Sequence, residues 1–407
     1  MIKKNIIHKN NFNRKSVQKL SKDFQKIMKE IKISIENPNN IFNVLSDNYK
    51  FNFNLRDLKR FNKLSNLVII GMGGSILGSE AIYEFLKKKI KKKIYFFDDI
   101  NTQKISKFKI KKNFRKTVFL VISKSGNTIE TLSNFFSLKI IEKAKNNIII
   151  ISEKKNNILH SLSKKLNLFY VEHKDYIGGR YSVLSEVGIV PAYLMGLNIS
   201  KLRKNLKKYL INKDAKFLQE SSTKLANILQ QKKTTNLVFL NYSPELEKFL
   251  YWCQQLIAES LGKNKKGFFP VISNVPKDHH SLLQLYLNGP KDKLFHIFSF
   301  ETKIAEKINT KKYTNKIDFL HNKSLNKVKI AQKNALIKSF KKYKIPFREF
   351  KINELNEQTL GELFAYYVLE TAIVGKLIGV NPFDQPAVEE VKLNTKNYLI
   401  KGPKNYL

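Results

Sequence analysis

The sequence predicts an α/β protein with two doubly wound parallel sheets, a helical N-terminal arm and a C-terminal helix. Three observations carry that prediction. Short runs of strand-forming residues alternate with helical stretches from about residue 61 onward, which is the rhythm of βαβ units. The rhythm pauses at a long helical stretch near 201–231 and then restarts, which implies a second domain of the same class. A chain of 407 residues, 42% of them hydrophobic and 12% aromatic, can fill two cores.

Residues 1–60 read as the helical arm, because 16–35 keeps helical spacing of apolar positions and the Asn/Pro-rich ENPNNIF interrupts it. In a first domain, 61–200, strands are expected at 66–70, 93–97, 117–122, 147–151 and 168–171. In a second, 201–380, they are expected at 236–241, 268–272, 294–300 and 347–352, followed by a helix over 357–378. Residues 381–407 form the C-terminal helix and tail, the helix starting at Pro386, whose fixed φ and missing amide donor suit a first helical position.

Lys+Arg 75 against Asp+Glu 33 gives a formal net charge of +42. The lysines are dispersed in runs such as 87–93 and 341–344, among many Asn and Ile residues. That pattern fits drift in an A+T-rich coding sequence better than a dedicated polyanion surface, so no specific nucleic-acid partner is expected. A basic field would still steer phosphorylated substrates inward. The single cysteine, Cys253, excludes an internal disulfide framework and fits a reducing cytosol. With no signal-peptide apolar core near the N-terminus and no apolar run of about 18 residues, the expected location is cytoplasmic, with no membrane partner.

Two loops carry chemistry. NLVIIGMGGSILGSEAIYEFL is strand, glycine loop and helix, but the spacing Gly71, Gly73, Gly74, Gly78 departs from a dinucleotide fingerprint, which would require glycine at Ile76. Structural and phosphate- or sugar-binding readings stand side by side there, with Ser75 adding a hydroxyl at the helix entrance. FLVISKSGNTIETLSNFF runs from a buried-type strand into Ser123, Lys124, Ser125, Gly126 and Thr128 before a helix begins. Hydroxyls, one cation and a glycine at a helix N-terminus suit a single phosphoryl group, while the missing GK[ST] ending argues against a nucleoside triphosphate. An ordinary polar βα loop with Ser or Asn capping is the alternative.

Five segments in order, GMGGSILG (71–78), SKSGNTIET (123–131), GGRYSVLSEVG (178–188), ESLGK with DHHSLLQLYLNGP (259–290) and GVNPFDQPAVEEVK (379–392), resemble the glucose-6-phosphate isomerase (phosphoglucose isomerase) family. That family is built from two sugar isomerase domains. SKSGNT carries serine where many members have threonine. Position by position, the resemblance implies that Gly74, Ser75, Ser123, Lys124, Ser125 and Thr128 hold a sugar phosphate. It makes Glu259 the base that moves a proton between C2 and C1, and sets Arg180 beside the enediolate. It assigns His280 and Lys392 to ring opening and Glu130 and Gln385 to the pocket lining.

Isomerisation through a cis-enediol needs a carboxylate base and a fixed cation at the developing oxyanion, and ring opening needs a proton donor and acceptor. No metal or cofactor is expected. The family also implies a homodimer with a shared active site, His280 coming from the neighbouring subunit. Alternatives are a related isomerase that also takes mannose 6-phosphate, and a sugar-phosphate-sensing regulator, which would need a helix-turn-helix module that the sequence does not display.

Overall fold

The computed structural model describes residues 5–11, 18–111, 113–301, 306–314 and 316–401. Its strands are β1 (Ile6–Asn11), β2 (Asn66–Ile70), β3 (Lys93–Phe97), β4 (Thr117–Ile122), β5 (Ile148–Ser152), β6 (Phe169–Glu172), β7 (Asn236–Asn241), β8 (Phe269–Asn274), β9 (Lys293–Phe300) and β10 (Phe347–Ile352). They form two five-stranded sheets, β3-β2-β4-β5-β6 and β8-β7-β9-β10-β1. All pairings are parallel except that of β1 with β10. The two orders are the same topology used twice: the first strand of each doubly wound unit lies inside the sheet, with its two successors on either side.

Parallel strands covered on both faces read as unbroken apolar runs, and β2, β4 and β5 are buried along their whole length. Alternation along β4 divides two cores. Val118, Leu120 and Ile122 face a large central core, whereas Phe119 and Val121 face an outer one with Phe108, Phe114 and Phe135. The central core is shared with the second sheet, through Leu237, Phe239, Phe298 and Phe350. Two helices cross it. Glu357–Leu377 is buried on nearly every side, and Glu247–Leu261 buries Phe249, Trp252, Cys253 and Leu256.

The sequence reading makes the N-terminal arm purely helical, and the structure corrects this. The expected helix is present as Gln18–Glu36, burying Leu20, Phe24, Ile27, Met28, Ile31 and Ile35. Ahead of it, however, β1 adds an antiparallel strand to the second sheet, with Ile6 opposite Ile352 and Asn11 opposite Phe347. IIHKNN has too few apolar residues to announce a strand. The exposed edge of β10 and a stack of His8 on Phe217, 4.3 Å between ring centroids, decide its conformation. The strand also covers an edge that would otherwise offer unpaired backbone groups.

The parallel register of β2 and β4 sets Ile70 beside Val121, so the loops that leave these strands are neighbours. A Cβ at Gly71 would lie 3.1 Å from the Ile122 carbonyl oxygen. The crevice at this strand-order reversal is where doubly wound sheets bind ligands.

Candidate active site

The glycine loop leaves β2 through a turn at Gly73–Ser75 and enters the helix Leu77–Leu86. Gly73 has φ +51°, a left-handed conformation that glycine adopts at little cost. Gly74 serves a different end. A Cβ there would lie 2.3 Å from the carbonyl carbon of Gly179 and 2.6 Å from the Arg180 nitrogen, so only glycine lets this loop touch the 179–184 segment.

That segment, Gly179–Leu184, is a buried 3-10 stretch braced from the N-terminal arm. Glu186 is fully buried and accepts hydrogen bonds from the Tyr49 hydroxyl at 2.8 Å and the Asn52 amide at 3.0 Å. Arg203 donates to the carbonyls of Leu184 (2.7 Å) and Ser46 (2.8 Å). The arm thus helps fix where Arg180 begins.

Arg180 is 3% exposed and uses every side of its guanidinium. Nε donates to Ser260 Oγ at 2.8 Å. Nη1 donates to Gln385 Oε1 at 2.8 Å and approaches Glu259 Oε2 at 3.3 Å. Nη2 donates to the carbonyls of Pro382 (2.7 Å) and Asp384 (2.9 Å). Apart from Glu259, all these acceptors are neutral, so Glu259 is the one charged partner in the guanidinium's own shell. The Glu259 side chain, near the end of the helix Glu247–Leu261, is 31% exposed and opens to the crevice, its other oxygen held by Gln255 Nε2 at 2.9 Å.

Around this pair lie groups that sequence reasoning passed over. Tyr181 hydrogen-bonds Ser260 Oγ at 2.9 Å and the Pro382 carbonyl at 3.1 Å, and burial pushes its hydroxyl up to about 12. Gln255 lies one helical turn before Glu259, the spacing that puts both on one face, and its amide abuts Gly73. Lys263 ends the ESLGK segment and reaches the turn at 381–385, where it pairs with Asp384 at 3.1 Å. Burial lowers its ammonium pKa while Asp384 opposes that shift.

The hydroxyl loop leaves β4 beside the glycine loop. Ser123 is buried and shares a 2.8 Å hydrogen bond with Thr128 Oγ1. Gly126, at φ +66°, packs where a Cβ would collide with Asn157. Thr128 precedes the helix Ile129–Ser137 without a side-chain cap hydrogen bond, and Glu130 sits in its first turn. Ser125 is exposed and accepts from the Asn127 amide. Lys124 is turned to protein partners, donating to the Asp175 carbonyl at 2.8 Å and lying 3.5 Å from Glu153.

Of the residues expected from sequence, Gly74, Arg180, Glu259 and Gln385 therefore converge through direct contacts, and Ser123 and Thr128 form a pair in the adjoining loop. Two stand apart from the Arg180 cluster within one chain. His280 is exposed at the start of the helix His279–Asn288, while its neighbour His279 meets the Tyr242 hydroxyl at 3.1 Å. Lys392 lies on the exposed helix Glu389–Lys401 and pairs with Glu389 at 2.7 Å. Among the described residues no group of three or more His, Cys, Asp or Glu is placed to hold a metal ion, and no helix is long and apolar enough to cross a membrane.

Residues 52–273, more than half of the chain, match the family model described as Phosphoglucose isomerase. The chain belongs to the phosphoglucose isomerase family. It is 32% identical over 398 residues to the glucose-6-phosphate isomerase of Methanocaldococcus jannaschii, an alignment covering 92% of this chain and 98% of that one. In fold it is similar to a hypothetical protein of Thermus thermophilus, with a TM-score of 0.83, 24% identity, and coverage of 97% of this chain and 99% of that one. It is also similar to a glucose-6-phosphate isomerase from Chlamydia trachomatis, with a TM-score of 0.79, 18% identity, and coverage of 98% and 90%. At these identities the two structures speak for the fold. The segment from Gly71 to Ser260, which holds the glycine loop, the hydroxyl loop, Arg180 and Glu259, falls within the phosphoglucose isomerase match.

Proposed function

We propose that this protein interconverts glucose 6-phosphate and fructose 6-phosphate, with Glu259 and Arg180 as its working pair. One observation carries the reading: a crevice-facing carboxylate beside a buried guanidinium held mainly by neutral acceptors. Glu259 takes the proton from C2 of the open-chain aldose and returns it to C1. As the C–H bond breaks, negative charge moves onto the substrate oxygens, and Arg180 stabilises the enediolate by an electrostatic contact that the ground state lacks. Gln255 holds Glu259 Oε1 and Arg180 approaches Oε2, which together fix the carboxylate's orientation.

The phosphate is taken by the neighbouring loops, through Gly74, Ser75, Ser123, Ser125 and Thr128 and the uncapped helix N-terminus behind Thr128. Lys124, held by Glu153 and Asp175, adds positive potential to that loop. Glu130 and Gln385 line the pocket. Ring opening needs a proton donor and acceptor, the roles read for His280 and Lys392. Exposure of His280 in the single chain fits its use in a neighbouring subunit's site in a homodimer. Lys392 can serve only when the helix Glu389–Lys401 lies against the crevice. No step calls for a metal. The reaction belongs to glycolysis and gluconeogenesis, and its place is the cytoplasm.

The test is to assay purified protein for fructose 6-phosphate formed from glucose 6-phosphate, with and without chelator. Activity that resists chelation is expected. Absence of turnover, or turnover abolished by chelator, overturns the reading.

A further inference from the structure

The turn at 381–385 supplies three of the acceptors on Arg180, so whatever holds this turn sets the guanidinium. Pro382 and Asp384 present their carbonyls and Gln385 its side-chain oxygen. Asp384 is the ambiguous member. Its carbonyl grips Arg180, while its carboxylate, about half exposed, would be a far stronger partner for the same cation if it turned inward.

Lys263 engages that carboxylate. Its ammonium lies 3.1 Å from Asp384 Oδ1 and donates to the carbonyls of Ser260, at 3.2 Å, and Asn381. The other carboxylate oxygen accepts from Asn381 Nδ2 at 2.9 Å. Both oxygens of Asp384 are thereby occupied by Lys263 and Asn381. The same lysine ties the end of the helix that carries Glu259 to the turn that holds Arg180, because it bridges Ser260 and Asn381.

We propose that Lys263 is a positioning residue of the isomerase reaction: it clamps the 381–385 turn and keeps the Asp384 carboxylate off Arg180, so that Glu259 is the one carboxylate beside the cation when the enediolate forms. The inference rests on the isomerase reading of the Glu259 and Arg180 pair. Its consequence is specific. Loss of the ammonium weakens stabilisation of charge that exists only in the transition state, and leaves phosphate binding in the hydroxyl loop alone.

The test compares Lys263→Met, Lys263→Arg, Asp384→Asn and the double variant Lys263→Met with Asp384→Asn. Steady-state kinetics are combined with calorimetric binding of 5-phosphoarabinonate, a phosphorylated aldonate whose carboxylate imitates the enediolate, and with thermal unfolding. Lys263→Met is expected to lower kcat about 10- to 100-fold, the scale of a misplaced active-site group, with KM for glucose 6-phosphate nearly unchanged. Aldonate affinity should fall with kcat. Lys263→Arg should restore most of the rate, and the double variant should recover part of it, because a neutral amide at position 384 no longer competes for Arg180. If Lys263→Met does not fold, Lys263→Gln, which keeps a donor for the two carbonyls and still releases Asp384, is expected to show the same loss of kcat. A raised KM with kcat intact, a variant with wild-type kcat, or a double variant as slow as Lys263→Met overturns the proposal. A wild-type protein that fails to turn over glucose 6-phosphate sinks the isomerase reading, and this inference with it; an active wild type with unaffected Lys263 variants sinks this inference alone.

Discussion

Arg180 Nη1 lies 3.3 Å from Glu259 Oε2 but 2.8 Å from Gln385 Oε1, so the guanidinium is anchored more closely by a neutral amide than by the carboxylate beside it. Each member of the pair is also fixed by a neutral amide, Glu259 Oε1 by Gln255 and Arg180 Nη1 by Gln385.

Glu259→Gln should leave sugar-phosphate binding nearly intact and lower turnover about 10²- to 10⁴-fold, the range for a lost general base. Exchange of the substrate's C2 hydrogen with tritiated solvent checks it directly. Exchange at the wild-type rate would assign the base to another residue.

Arg180→Lys keeps the charge but cannot span the five acceptors, because an ammonium is a point donor and a guanidinium a planar fork. A fall in kcat of about 10²- to 10³-fold is expected, as for a lost oxyanion donor. Thermal unfolding measured alongside separates this from instability. A stable variant with normal kcat would remove Arg180 from the chemistry.

Ser123→Ala with Thr128→Ala removes the hydroxyl pair at the end of β4. KM for glucose 6-phosphate should rise, and competitive inhibition by inorganic phosphate should weaken in parallel, since hydrogen bonds to a charged group are worth about 1.5–3 kcal/mol each. Unchanged phosphate inhibition would move the anion site elsewhere. Lys124→Ala should act less strongly than this pair, because its ammonium is already committed to Asp175 and Glu153.

Burial lowers the His173 pKa from its ordinary 6.5 to about 4. The unfolded chain therefore takes up a proton near pH 6.5 that the native state refuses until about pH 4. Stability from this source is complete above the ordinary value and declines as the pH falls through that window, by up to about 1.4 kcal/mol per pH unit. Denaturant unfolding between about pH 7 and about pH 4 reads the slope. A His173→Gln variant should show a shallower decline, and an identical slope would refute the assignment.

The +42 charge is expected to be passive toward nucleic acid. Binding to DNA or RNA should vanish near about 150 mM salt as counterion release loses its driving force, while glucose 6-phosphate turnover persists with a moderately raised KM. Sequence-selective binding that survives that salt would contradict this expectation.

Strands such as β4 and β5 were legible because a strand buried on both faces is apolar without interruption, whereas β10, FREFKI, was read from strand-forming residues alternating with charged ones. Residues 66–70, 93–97, 117–122, 236–241 and 347–352 were read to the residue. The short β1 was not, since its partner β10 lies at the far end of the chain and local composition carries no trace of that pairing. Lys263, Gln255 and Ser260 were hidden for a related reason. Lys263 and Ser260 stand in the quoted ESLGK, but a lysine among 75 basic residues carries no local sign of its partner, and its contacts exist only because the 381–385 turn returns to the end of the Glu247–Leu261 helix.

By itself, then, the sequence determined the α/β class, the two successive sheets, the glycine and hydroxyl loops after β2 and β4, and the residue types required for proton transfer. The class, sheets and loops depend on periodicity or on neighbours a few positions apart, and the proton-transfer residues on the resemblance to the phosphoglucose isomerase family. Only the tertiary structure decided that Arg180 and Glu259, 79 positions apart, share one crevice, that Lys124 faces Glu153 and Asp175, and that His280 and Lys392 stand outside that cluster in a single chain. Those outcomes turn on which distant surfaces bury together, and that is set by packing of the whole chain around its shared core.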